Sequence, residues 1–237
     1  MLGVKVVFLG TGTADSFERA QSSILFEKNG NTILVDAGNG CLIRLGQLGK
    51  RPADINAVLL THVHLDHSGD LLPLLKARWL SGVEDTLKIF APTGTKNWME
   101  SQLEAFPFLR NKLSYDVVEV RENKFNVYNF NVKSIVTKHS VESRGYIVNG
   151  ILVTGDTSPF EELYNNDFDV VIHELSLPEG FSQHHTTPDS ILRFSRILSE
   201  KEVYFTHLYP HTLTLKERII KRLGFGKVVN DLDSFKF

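Results

Sequence analysis

The chain has 237 residues, 42% of them hydrophobic and 23% charged, the balance of an ordinary globular protein able to build a core without staples. A formal net charge of −2 excludes a global positive field for nucleic acid. The lone cysteine, Cys41, excludes an intrachain disulfide and fits a reducing compartment.

The apolar run at the N-terminus, Met1–Gly10 broken at Lys5, is too short for a signal-peptide core or a membrane span. A cytoplasmic protein with no membrane partner is therefore expected. No linker, repeat or low-complexity tract interrupts residues 1–237, which read as a single domain.

Taken in chain order, β-branched runs bounded by Gly, Asn or Pro predict strands over Val4–Leu9, Ser22–Glu27, Thr32–Asp36 and Ala57–Leu60. Leu42, Leu45 and Leu48 at helical spacing predict a helix over Cys41–Leu48, stopped by Gly49. Leu71–Leu80 reads as a helix with Pro73 confined to its first turn. A strand over Leu87–Ala91, a helix over Thr95–Ala105 and strands over Val117–Val120 and Val127–Lys138 follow.

Arg144–Val148 and Ile151–Thr154 flank Asn149-Gly150, the dipeptide of a two-residue hairpin. Asp169–His173 and Glu202–Thr206 read as buried strands with a helix, Pro188–Leu198, between them. The densest basic group, Lys216–Arg222, reads as a solvated helix face. Strands and helices interspersed at both ends, with hairpins in the middle, predict an α+β chain of two sheets packed face to face with helices outside.

The segment Thr61-His62-Val63-His64-Leu65-Asp66-His67 follows the apolar strand Ala57–Leu60. Side chains two apart in extended backbone point the same way, so His62 and His64 can converge on one ion. Asp66 and His67 come after the strand, where a turn can aim them at a second position. Imidazole with carboxylate suits zinc, manganese or iron rather than calcium or magnesium. Four residues cannot complete two metal sites. His139, Asp156 and His207 each leave a predicted strand, where functional groups sit on a rigid scaffold, and they are the further candidates.

These residues resemble the metallo-β-lactamase superfamily, and within it the ribonuclease Z-like branch. The resemblance runs through Phe8-Leu9-Gly10-Thr11-Gly12-Thr13, Arg19 to Ser23, Val35-Asp36-Ala37-Gly38 and His62–His67, then His139-Ser140, Thr154-Gly155-Asp156-Thr157 and Thr206-His207. It implies an αββα sandwich, two packed mixed sheets flanked by helices, with metals at one edge. It also implies two divalent metal ions, zinc first, with manganese or iron compatible. His62, His64 and His139 would hold one ion, Asp66, His67 and His207 the other, and Asp156 would bridge them. Asp36 matches an aspartate that supports the ligands without binding metal.

A more specific likeness lies in Val171-Ile172-His173-Glu174-Leu175-Ser176, followed by His185-Thr186-Thr187. It implies that Glu174 orients His185, which protonates a leaving group, although neighbouring His184 leaves the register open. A glutamate-tuned imidazole can deliver a proton near neutral pH. Asp66, His185 and Glu174 are thus the candidate catalytic residues. His173 reads as strand packing, and His211 as lining the cleft.

The resemblance implies a metal-dependent hydrolase, a phosphodiesterase on a small-molecule or nucleotide phosphodiester. One departure bears on the substrate: ribonuclease Z carries a long arm for tRNA between the segments matching His139 and Asp156. Here only Ser140–Gly155 lies between them, room for a hairpin alone. That favours small substrates over tRNA 3′-end processing, with RNA an alternative partner. Thioester, lactone or β-lactam hydrolysis on the same fold leaves Glu174 and His185 unexplained. A di-iron redox protein would carry glutamate at position 64, and a non-catalytic module would lack ligands. Relatives often dimerise, so a homodimer is compatible with the resemblance.

Overall fold

The computed structural model describes residues 3–121 and 123–237. Met1 and Leu2, the start of the apolar N-terminal run, lie outside the described residues. Six strands form most of the first sheet: β1 (Lys5–Gly10), β2 (Ser23–Lys28), β3 (Asn31–Val35), β4 (Ala57–Leu59), β5 (Leu87–Ala91) and β6 (Tyr115–Glu119). The second sheet holds β7 (Lys124–Val127), β8 (Phe130–Val136), β9 (Arg144–Val148), β10 (Ile151–Val153), β11 (Val170–Glu174), β12 (Glu202–Thr206) and β13 (Lys227–Val228). A last strand, β14 (Ser234–Lys236), returns to pair with β1.

Both sheets are mixed. β1, β2 and β3 run antiparallel and β3 to β6 parallel, whereas β7 to β10 run antiparallel and β10 to β13 parallel. The sequence accounts for the difference. β8 alternates buried Phe130, Val132 and Ser134 with more exposed neighbours. β4, β10 and β11 are buried at every position, as expected for parallel strands covered on both faces.

Phe8, Phe26, Ile33 and Val35 of the first sheet pack against Phe130, Tyr146, Val153 and Ile172 of the second. On the outer face of the first sheet, Leu25, Leu34 and Val58 meet Leu45, Leu71 and Leu74 from the helices Cys41–Gln47 and Leu71–Leu80. On the outer face of the second, Leu152, Val171 and Phe205 meet Ile191, Leu198, Ile219 and Leu223. The layer order is the expected αββα. Each such side chain stabilises by about 1.5–3 kcal/mol when fully buried, and Cys41 is buried as a free thiol.

Three readings of the sequence need correction. Val127–Lys138 is not one strand: Val127 pairs with Phe130 across a two-residue loop at Tyr128-Asn129, with Tyr128 at φ 53°. Such a loop needs positive φ, and no glycine announced it. The helix Pro188–Leu198 is broken into Pro188–Ile191, a 3-10 turn Leu192–Phe194, and Ser195–Leu198. The strand before the His cluster ends at Leu59, and a short helix, Leu65–Ser68, carries Asp66 and His67. The Asn149-Gly150 hairpin forms as expected, with φ 47° and 81°. Lys216–Leu223 is an amphipathic helix that buries Ile219 and Leu223 and ends at Gly224.

Candidate metal centre

β3, β4, β8, β10, β11 and β12 all point their C-terminal ends at one edge of the sandwich. The segments that follow them carry Asp36, His62, His139, Asp156 and His207, while Glu174 closes β11. Ligand crevices form outside carboxyl ends of this kind. Asp36 and His207 sit at φ 62° and 55°, a left-handed backbone that costs a non-glycine residue about 1–3 kcal/mol and persists only where surroundings enforce it. Gly155, at φ 58°, precedes Asp156, and a Cβ there would stand 2.8 Å from Thr61 Cβ. Only glycine lets the two strand ends approach so closely.

The seven candidate ligands come together. His62 Nε2 and His139 Nε2 each lie 3.1 Å from His64 Nδ1. His207 Nε2 lies 3.1 Å from His67 Nε2 and 3.2 Å from Asp66 Oδ2. Asp156 stands between the two groups. Its Oδ1 is 3.2 Å from His67 Nε2 and 3.3 Å from His207 Nδ1, and its Oδ2 is 3.9 Å from His139 Nε2 and 4.0 Å from His62 Nε2.

Neighbours fix which ring nitrogens are free. Thr61 donates its N–H to Asp36 Oδ1 at 2.7 Å and its hydroxyl to Asp36 Oδ2 at 2.9 Å. His67 Nδ1–H donates to Asp36 Oδ2 at 2.7 Å, and His62 Nδ1–H reaches Thr61 Oγ1 at 3.0 Å. His139 Nδ1–H donates to the His184 carbonyl at 3.0 Å. Ser176 Oγ donates to Glu174 Oε2 at 2.7 Å and receives His207 Nδ1–H at 3.1 Å. The Nε2 lone pairs of these four histidines therefore face inward, the outer-partner arrangement that orients ligating imidazoles.

This donor set fits a divalent transition metal. Atoms bound 2.0–2.1 Å from one ion in a tetrahedron stand roughly 3.3 Å apart, close to the 3.1–3.2 Å that separate His64 from His62 and His139 and His207 from His67 and Asp66. Asp156 Oδ1 is buried, faces His67 Nε2 and His207 Nδ1 at 3.2 and 3.3 Å, and has no well-directed hydrogen bond among the described residues, a site whose desolvated charge a divalent cation would satisfy.

Charge agrees. Burial holds His62 well below, and His64 and His139 below, the ordinary histidine range, so their lone pairs are free. Burial pushes His67 the same way, but Asp156 and Asp36 outweigh it and raise the ring well above the ordinary range, holding on Nε2 a proton that a bound cation would displace. Against the upward push of burial, His207 and His67 hold Asp156 well below the carboxylate range, and the same two histidines bring Asp66 down to about 2.

Beside the cluster, His185 Nδ1 lies 3.2 Å from Glu174 Oε1 and 3.8 Å from Asp156 Oδ2. The Glu174 carboxylate also accepts from Thr157 N, Thr186 N, Ser176 N and Ser176 Oγ, which locks its orientation. Burial would lower His185, but the hydrogen bond and charge of Glu174, aided by Asp156, raise it above the ordinary range. The register is thus His185 on Glu174, while His184 contributes its carbonyl. His173 is buried with its Nε2 on Tyr164 OH at 2.7 Å, and His211 is exposed.

Reasoning from sequence missed Thr61, Ser176 and an anchor built on Asp231. That carboxylate accepts from Thr11 N, Thr11 Oγ1, Ala20 N and Arg44, and the Thr11 carbonyl accepts His207 N–H at 3.0 Å. Thr61 and Ser176 stood inside the quoted motifs. Asp231 lies 220 residues from Thr11, with no local signal to connect them.

Fold and cluster together define a metallo-β-lactamase-superfamily protein of the ribonuclease Z-like kind. The family model described as "Anti-Pycsar protein Apyc1" matches residues 4–231, and the chain belongs to that family. Ribonuclease Z of Mycolicibacterium gilvum (strain PYR-GCK) is 40% identical over 109 residues, covering 44% of this chain and 38% of that protein. The chain thus matches less than half the length of this curated relative. Among solved structures, the metallo-β-lactamase fold protein YhfI from Bacillus subtilis superposes with a TM-score of 0.80 at 20% identity, covering 99% of each chain. A diphosphatase from the PhnP family gives 0.81 at 17% identity, covering 99% of this chain and 98% of its own.

Proposed function

We propose that the protein is a binuclear metal-dependent phosphodiesterase acting on a small-molecule or nucleotide phosphodiester. His62, His64 and His139 hold one divalent ion, Asp66, His67 and His207 the other, and Asp156 serves both, with zinc the first candidate and manganese or iron alternatives. Bound ions of this kind supply Lewis acidity that activates water and neutralises charge on the attacked phosphodiester. Asp36 and Thr61 keep His62 and His67 in the tautomers that face inward. Ser176 does the same for His207.

The observation that carries the reading is the Glu174–His185 pair against Asp156. Glu174 keeps His185 protonated through Nδ1 and leaves Nε2 to give a proton to the departing oxygen. Only a poor leaving group, such as an alkoxide, requires that step. His185→Ala should therefore slow an alkyl phosphodiester by about 10²-fold or more and barely affect a p-nitrophenyl diester. Equal effects on both would defeat the assignment.

A ribonuclease Z-type nuclease is the second reading, favoured by the curated relative bearing that name. The short β9–β10 hairpin between His139 and Asp156 weighs against it, because no arm for tRNA is built there. No described helix is long and apolar enough to cross a membrane. A cytoplasmic homodimer accords with this reading and is tested by its mass in solution.

A further inference from the structure

Tyr209 follows two residues after His207 and belongs to none of the motifs that frame the centre. Its backbone is fixed: Tyr209 N–H donates to the Ser176 carbonyl at 3.2 Å, and its own carbonyl accepts Leu213 N–H at 2.8 Å. Thr212 Oγ1 donates to the same Ser176 carbonyl at 2.6 Å. Pro210 then sets the entry to the helix Pro210–Thr214. Ser176 also holds Glu174 and His207, so one serine carries the tyrosine, the proton-donor pair and a metal ligand in a common frame.

The ring is half-buried and stands edge-on to His185 at 6.2 Å and to His207 at 6.4 Å between centroids. Its oxygen lies within electrostatic reach of Asp156, Asp66, Asp15 and Glu174. Yet among the described residues the hydroxyl has no hydrogen-bond partner. Buried phenols ordinarily spend their O–H on a protein acceptor, whereas that of the half-buried Tyr209 is left to a partner from outside the protein. A rigid neutral donor beside the proposed metal centre, with its hydroxyl free of protein partners, is placed to meet something that enters from outside.

We infer that Tyr209 is a substrate-contacting residue whose O–H donates to a non-bridging oxygen of the phosphoryl group held between His185 and the metal ligands. The inference rests on the phosphodiesterase reading for its substrate and on the geometry alone for its anion. The phenol remains O–H throughout and transfers no proton. Its contribution is one charge-assisted hydrogen bond that strengthens as charge gathers on the phosphoryl oxygens.

The test is Tyr209→Phe, which removes one oxygen and leaves the ring packing. Metal-free wild type and variant are compared by calorimetric titration with zinc, and the zinc-loaded proteins by titration with inorganic phosphate and by hydrolysis of bis(p-nitrophenyl) phosphate. The expected result is unchanged zinc stoichiometry and affinity, a phosphate Kd raised about tenfold, and kcat/KM lowered about tenfold or more. Phosphate affinity and kcat/KM within twofold of wild type would overturn the inference. So would a parallel loss of zinc, which would make Tyr209 a mere support for His207. If Tyr209 governs phosphate affinity while wild type hydrolyses no phosphodiester, the anion contact stands and the reaction reading falls.

Discussion

Glu174→Gln separates the electrostatic role of the carboxylate from its shape. Oε1 receives Thr157 N at 3.1 Å, Thr186 N at 3.0 Å and His185 Nδ1 at 3.2 Å, and Oε2 receives Ser176 N at 2.9 Å and Ser176 Oγ at 2.7 Å. A glutamine amide fits best with its oxygen in the Oε1 place. Its NH2 then faces the Ser176 N–H, while the serine hydroxyl can rotate to accept. One buried donor left unsatisfied costs about 1–3 kcal/mol, roughly 2–12 °C in Tm for a chain of this size.

The variant should therefore fold, and its kinetics decide. Glu174 supplies the hydrogen bond and charge that raise His185 against burial. The glutamine oxygen at the Oε1 place keeps the hydrogen bond but not the charge, so burial weighs more and the ring loses its proton at lower pH. With the protonated ring as the proposed acid, the alkaline limb of the kcat profile should move to lower pH. At neutral pH an alkyl phosphodiester should slow by about 10²-fold, with little change for a p-nitrophenyl diester. An unmoved alkaline limb, or equal loss on both substrates, would refute the reasoning.

Asp231→Ala strips the anchor of Thr11 and Arg44 and should cost about 2–4 kcal/mol in denaturant unfolding, with weakened metal binding through His207. Gly155→Ala forces a Cβ onto Thr61 in left-handed backbone and should lower stability by about 1–3 kcal/mol, with metal stoichiometry reduced in parallel. Glu27 contacts Lys5 at 2.9 Å and also pairs with Lys50. Burial raises its carboxyl, but the two lysines outweigh it and hold it low. Its folded pKa is depressed, so the stability it contributes is complete above the unfolded carboxylate value and lost as pH falls through the folded one. Glu27→Gln should then be less stable by about 1 kcal/mol at pH 7 and no different from wild type once the pH lies below the folded value. Chelation should lower Tm, and metal restored to a hundredfold excess over its Kd should return about 2.7 kcal/mol.

Most strands were legible because their ends coincide with turn chemistry. Asn149-Gly150 announced a hairpin, and the apolar runs of β5 and β12 began and ended where they were drawn. The failures have physical causes. Tyr128 takes positive φ without being glycine or asparagine, so nothing in Val127–Lys138 marked the turn. Arg193 and Phe194 lie in the 3-10 turn that divides Pro188–Leu198, where helical spacing alone predicted continuity. The cluster was readable because His62 to His67 are contiguous and the other candidates leave strands. What holds those residues was not readable, since Asp231 reaches Thr11, and through it His207, only in three dimensions. Tyr209 went unremarked because the role proposed for it rests on a hydroxyl without a hydrogen-bond partner among the described residues, which no motif signals.

The most direct test is hydrolysis of bis(p-nitrophenyl) phosphate by zinc- or manganese-loaded protein, with Asp156→Ala as the control. The account predicts metal-dependent turnover in the wild type and its loss in Asp156→Ala, where the carboxylate proposed to serve both metal positions is gone. No turnover from protein demonstrably holding two metals, together with cleavage of a thioester or lactone, would contradict it.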